Sequence, residues 1–390
     1  MRRRSFAIGI QPLAILLGAT LTASAATDPA KDSVDAKSAT TSNATWDKAA
    51  AAKYLDSREV WWQAWPPAKK DHETVCVSCH TNVPYALARP ALRAQLGEQK
   101  LSDPERVMLD SIIKRVNLGS EAEPFYNDAK HGPGKTREAR NAESVNNALI
   151  LARYDAARYD AQQGHLQDVT RKAFAAMWAL QEQTGPKSGA WLWQNFHFSP
   201  WEADESEYYG AAMAAIATGI APDQYRDDPK IQGNLTLLRD YLRRQAPNQP
   251  LVNRIVLLWA STKLPGLMTN PERAALKTEI YSKQQSDGGW SLTTLGTWKR
   301  HDSSPFDTRS DGYATGLTVL ALEENGIGKN GPELKRGVDW LLANQNKTDG
   351  LWPAWSLNLQ RDPASGVGRF MSDAATAFSV MALENNRKTQ

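Results

Sequence analysis

Residues 311–327, DGYATGLTVLALEENGI, and residues 373–386, DAATAFSVMALENN, are two versions of one pattern: TGLTVLALEEN lies over TAFSVMALENN nearly position for position. Each reads as a helix of small and apolar residues with almost no polar face, which must be surrounded by protein. Further versions stand at 143 (ESVNNALILARYDAAR), 206 (SEYYGAAMAAIATGI) and 250 (PLVNRIVLLWAST), with starts roughly 60 residues apart. Between them run charged, amphipathic helices: TRKAFAAMWALQEQ from 170, NLTLLRDYLRRQ from 234, RAALKTEIYSKQQ from 273 and ELKRGVDWLLANQ from 333. Such a unit cannot bury its apolar face alone and has to stack on its neighbours. The alternation predicts an all-α array in which crowded helices form an inner ring and charged ones an outer ring facing water.

Three of the outer helices end alike. QEQTGPKSGAWLW (181–193), QQSDGGW (284–290) and NQNKTDGLWPAW (344–355) each place Gln, then a glycine-containing turn, then Trp. Glycine ends a helix in the left-handed conformation, the Gln amide ties down free backbone groups, and the indole covers the joint. Ten of the 14 tryptophans lie between 178 and 355, where these devices are.

These residues resemble the squalene-hopene cyclase and prenyltransferase superfamily, whose repeats carry a Gln…Gly-X-Trp motif. The resemblance covers residues 141–390 and implies an α/α toroid, two concentric rings of helices around an apolar cavity for an isoprenoid-like ligand. It implies that Gln284, Trp290, Gln345 and Trp352 stiffen joints between repeats, with Trp191, Trp193 and Trp355 as further joint or cavity aromatics. The cyclases' catalytic Asp-X-Asp-Asp is absent. Asp311 and Asp373 are single acids at the starts of inner helices, where an N-cap competes with the role of catalytic acid. The zinc of the protein prenyltransferases needs a cysteine within the toroid, and none lies between 80 and 390. Toroids also host polysaccharide lyases and hydrolases. In WEADESEYY (201–209), Glu205 and Glu207 are candidates for acid–base work on a sugar, against the blander account of a solvated loop whose acids favour a helix N-terminus.

Both cysteines stand outside the repeats, in VCVSCHTNVPYALARP (75–90). C-x-x-C-H is the haem c attachment signature: Cys76 and Cys79 add to the haem vinyl groups and His80 ligates the iron as proximal ligand. Met108 and His131 are candidates for the sixth position. A structural disulfide and a zinc site with His72 are the alternatives. Only His80 separates haem from disulfide. Residues 46–140 around the motif read as an irregular, mostly helical haem segment, with one clear helix over 102–117 that starts at Ser102 or Asp103 and has Pro104 in its first turn.

The 390 residues carry a net charge of +3 without a dense basic block beyond the first four, which leaves no electrostatic case for nucleic acid. Residues 1–25 have a basic start, an apolar stretch and small residues near 25, the pattern of a secretory signal, possessing also an Arg3-Arg4-Ser5-Phe6 sequence of twin-arginine type. Residues 26–45 read as a flexible linker. The expectation is a periplasmic or secreted protein with no membrane span in the mature chain: a haem c segment (46–140) on a toroid (141–390), acting as a redox protein or haem-dependent oxidoreductase on an apolar small molecule or lipid, with a periplasmic redox partner. A haem-free terpenoid cyclase or lipid binder and a polysaccharide-active toroid are the rival readings.

Overall fold

The computed structural model describes residues 45–157, 164–326 and 331–388. The expected signal segment, and the linker up to residue 44, lie outside the described residues.

Twelve α-helices among the described residues alternate between two rings. The outer ring takes α1 (Lys48–Ala64), α3 (Asp103–Leu118), α5 (Asp168–Ala179), α7 (Gln232–Gln245), α9 (Asn270–Ser282) and α11 (Pro332–Asn344). The inner ring takes α2 (Asn82–Leu96), α4 (Gly132–Ala156), α6 (Ser206–Ile220), α8 (Leu251–Lys263), α10 (Gly312–Glu324) and α12 (Phe370–Lys388). Each inner helix packs on the next, and α12 packs on α2, so the ring closes. This is an all-α, α/α toroid of six helix pairs. The helix expected at 102–117 is α3, with Ser102 and Glu105 in a capping box and Pro104 in the first turn. The inner helices are small-residue helices because they touch protein on every side: every residue of α10 from Gly312 to Glu323 is buried. At Gly316 a Cβ would come within 2.6 Å of the Ser379 backbone nitrogen, so α10 and α12 approach closely only because that residue is glycine.

The Gln…Gly…Trp devices are joints between outer helices. Gln181, Gln284 and Gln345 each donate from Nε2 to the carbonyl of the turn glycine (Gly189, Gly288 and Gly350) at 3.1, 2.7 and 3.0 Å. Each also donates to a carbonyl at the start of the next outer helix: Asn234, Glu333 and, for Gln345, Asp47. Trp191, Trp290 and Trp352 are fully buried and donate from Nε1 to Met177, Ile280 and Leu341 of the helix just ended. Buried Trp193 donates instead to the Trp201 carbonyl at 3.0 Å.

The third joint corrects the domain division. Asp47 caps α1 by accepting from Ala50 N, and its own N–H donates to Gln345 Oε1 at 2.6 Å, while Trp46 meets Trp352 edge-on at 5.8 Å. Residues 46–140 therefore supply α1, α2, α3 and the start of α4, and the expected boundary at 140–141 falls inside α4. The motif belongs to the ring. Pro84 and Pro90 both lie within α2 and hid it from the sequence reading. Among the described residues no helix is long and apolar enough to cross a membrane.

Candidate functional site: a cavity at the helix N-termini

Residues 76–81 run from a two-strand hairpin (Lys69–Lys70 with Thr74–Val75) into α2. Ser78, one of the two residues between the cysteines, shapes this passage. Its hydroxyl accepts from the N–H groups of Thr81 and Asn82 at 3.2 and 3.1 Å, as a helix cap does, and donates to Asn82 Oδ1. Asn82 Oδ1 also accepts the Ser78 N–H at 2.8 Å, and Asn82 Nδ2 donates to both oxygens of buried Glu59. Trp62 Nε1 donates to the Cys76 carbonyl at 2.7 Å.

This loop turns Cys76, Cys79 and His80 onto one cavity of about 290 Å³, whose empty space is about 1240 Å³ when its open mouth is counted. Aromatic rings make much of its wall: Trp62, Trp65, Tyr126, Phe198, Trp201 and Phe370. His80 stacks on Phe370 at 3.7 Å between ring centres and meets Trp62 edge-on at 5.2 Å. The wall is built from the first turns of α12, the N-terminal half of α4, and the segments leading into α2 and α6. A second cavity of about 290 Å³ is lined by Ala156, Ile220, Lys263 and Glu324, at the other ends of α4, α6, α8 and α10. The inner helices thus run in one direction, and the positive ends of their dipoles gather at the motif.

Both thiols are free, and burial pushes each up to about 12, so they stand as neutral S–H groups. Cys79 Sγ accepts from Asn146 Nδ2 at 3.6 Å. Burial, reinforced by Arg58 and Arg361, pushes His80 down to about 3, which keeps the imidazole neutral. Arg361 lines the cavity and makes no hydrogen bond or ion pair with described residues. Two carboxylates share the wall. Glu143 is held in a bidentate pair by Arg115, at 2.5 and 2.9 Å. Glu202 makes no such bond, and burial pushes it up to about 7, opposed by Lys135.

Several expected site residues lie elsewhere. Met108 is in the core on α3, because the period that identified the helix puts it on the inward face, and it does not reach the cavity. His131 is bound to Asp128 at 2.8 Å beside Tyr126, also off the cavity wall. Asp311 caps α10, accepting from Ala314 N at 2.8 Å and Leu292 N at 2.6 Å. Asp373 is not a cap: it lies within the first turn of α12, and its buried carboxylate receives Arg58, Tyr54 and Thr81. Glu205 accepts from Ser199 Oγ and Glu207 pairs with Lys187, both outside the cavity. Trp191, Trp193, Trp290 and Trp352 serve joints, and Trp355, under the Arg309 guanidinium at 4.4 Å, lines a neighbouring cleft. For the zinc alternative, no group of three or more His, Cys, Asp or Glu among the described residues is placed to hold a metal ion. The sequence reading missed Glu202, Arg361 and Met371 as wall residues.

No protein-family model matches the sequence, and no curated protein matches it. Among solved structures the chain is similar to a glycosidase with a Glu-to-Ala substitution, at 11% identity and a TM-score of 0.45, over 87% of this chain and 97% of that one. It is also similar to a glycosidase variant in complex with glucose, at 12% identity and a TM-score of 0.44, over 87% and 98%. The toroid assignment rests on the closed helix ring itself.

Proposed function

We propose that the chain is an exported c-type haem protein in which Cys76 and Cys79 hold the haem, His80 ligates its iron, and the aromatic cavity admits an apolar small molecule. The observation that supports this most is the convergence of the three motif side chains on one aromatic-walled cavity. Cys76 and Cys79 would hold the haem by thioether bonds, each S–H adding across a vinyl C=C, sulfur to one carbon and hydrogen to the other, with no net oxidation. Neutral His80 offers a nitrogen lone pair. Arg361, without a hydrogen-bond or ion-pair partner among the described residues, suits a carboxylate side group of the macrocycle. Met371 brings a thioether to the same wall and would be available to the iron, whereas Met108 and His131, the expected candidates, lie off it. When bound, the haem supplies one-electron exchange. The chain's own part is to seat it among rings that keep water away and to leave a mouth for a ligand or redox partner.

A second reading, polysaccharide hydrolysis, is favoured by one observation: Glu202 and Glu143 share the cavity, one protonatable near neutrality and the other tied to a cation. That is the asymmetry of an acid and a base or nucleophile. It replaces Glu205 and Glu207, which lie off the cavity.

Co-expression with a cytochrome c maturation system and haem staining of a denaturing gel tests the first reading. A stained band is expected for the wild type and none for Cys76→Ser with Cys79→Ser. An unstained wild type beside a matured control cytochrome overturns it. Glycan hydrolysis abolished by Glu202→Gln would then support the second.

A further inference from the structure

His80, the motif and the ring closure meet in one chain of hydrogen bonds. Arg58 on α1 holds Asp373 on α12 through Nε to Oδ1 at 2.7 Å and Nη2 to Oδ2 at 3.0 Å, and donates also to the Gly366 carbonyl at 2.7 Å. Tyr54 adds its hydroxyl to Asp373 Oδ1 at 2.8 Å. Thr81 Oγ1 lies 2.9 Å from Asp373 Oδ2 and 3.0 Å from His80 Nδ1. Burial pushes the Asp373 carboxyl up, but the Arg58 guanidinium grips both of its oxygens and Tyr54 donates to it as well, so it stands as a carboxylate that can only accept, and the single hydroxyl hydrogen of Thr81 goes to Asp373. Thr81 then presents only lone pairs to His80, and Nδ1 has to bring the hydrogen.

We infer that Thr81 and Asp373 are positioning residues that fix His80 as the Nδ1–H tautomer, leaving the lone pair on Nε2 as the cofactor-facing donor. A histidine side chain in water prefers the opposite, Nε2–H tautomer, so the relay reverses an intrinsic preference. It also orients the ring, through a side-chain relay anchored on two helices of different rings, and it raises the basicity of Nε2 by drawing the Nδ1 hydrogen toward an anion. The use of Nε2 as iron ligand rests on the haem reading; the tautomer does not.

Nitrogen-15 NMR of histidine-labelled, haem-free protein reads the tautomer directly, with His80→Gln assigning its signals among the six histidines. In the wild type, Nε2 is expected at the shift of an unprotonated ring nitrogen and Nδ1 at that of a protonated one. Thr81→Val should return His80 to mainly Nε2–H, and Thr81→Ser should keep the wild-type tautomer. A wild-type Nε2–H signal, or a Thr81→Val protein indistinguishable from wild type, overturns the inference. Asp373→Asn leaves Arg58 buried without its partner and can fail to fold, so Thr81 carries the test. In haem-loaded protein Thr81→Val is expected to raise the reduction potential, because the iron loses electron density from a less basic ligand, while Thr81→Ser stays near the wild type. Failure to load haem sinks the haem reading alone; a wrong tautomer sinks the relay alone.

Discussion

Glu59 lies wholly inside the protein with no cation among the described residues bonded to it; Asn82 and Gln63 supply its hydrogen bonds, and burial pushes its carboxyl up to about 8. It anchors Asn82, which anchors the Cys76–His80 loop, so a protonated carboxyl underlies the motif at neutral pH. The folded protein keeps a proton that the unfolded chain releases between roughly pH 4.5 and 8, so this group makes stability fall as pH rises through that window, by up to a few kcal/mol. Glu59→Gln removes the ionisation. Whatever constant offset the amide brings, urea unfolding should show the wild type losing stability relative to the variant from pH 5 to 8; parallel curves would contradict this. At this scale the grouping of Cys76, Cys79 and His80 was legible, because the C-x-x-C-H spacing sets them on one short loop, and so was the capping by Asp311. Glu202 was not. WEADESEYY offers four acids, and which one faces inward is decided by the backbone bridge between Phe198 and Glu202, which no local pattern announces.

Helix joints carry the next level. Gln345 bonds to Gly350 and, across 298 residues, to both backbone groups of Asp47. Gln345→Ala should cost about 1–3 kcal/mol by leaving buried backbone groups unpaired, measured by thermal unfolding. Gln345→Ala without effect would mean that this joint does not hold the ring. Gly316→Ala sets a methyl against the α12 backbone and should cost about 1–3 kcal/mol through overpacking, while alanine at exposed Gly134, where nothing lies nearby, should cost little. Equal melting temperatures for these two variants would remove close approach as the reason for the glycine. The outer and inner helices beyond 140 were readable because their burial differs and repeats. α1 and α2 were not recognised as ring members: α2 carries two prolines, and α1 is closed onto the ring by residues at the far end of the chain. Pro84 sits in the first turn, where a helix N–H has no partner, and only Pro90 interrupts the interior.

At the scale of the molecule, closure of six pairs decides what can fold alone. A fragment starting at residue 131 keeps α4 to α12 but leaves both α4 and α12 without α2, exposing two small-residue faces. Such a fragment should show no cooperative melt, whereas a sharp transition near that of the whole chain would restore a separate toroid over 141–390. Closure also gathers the inner-helix N-termini, both thiols and His80 at one mouth, which is why the account centres on a covalent cofactor there. Intact-mass spectrometry under denaturing conditions, on protein matured in a host that makes c-type cytochromes, tests that most directly. The account predicts a wild-type mass above that of the processed polypeptide by one haem, and the bare polypeptide for Cys76→Ser with Cys79→Ser; a bare wild-type mass, beside a control cytochrome that carries its haem, would contradict it.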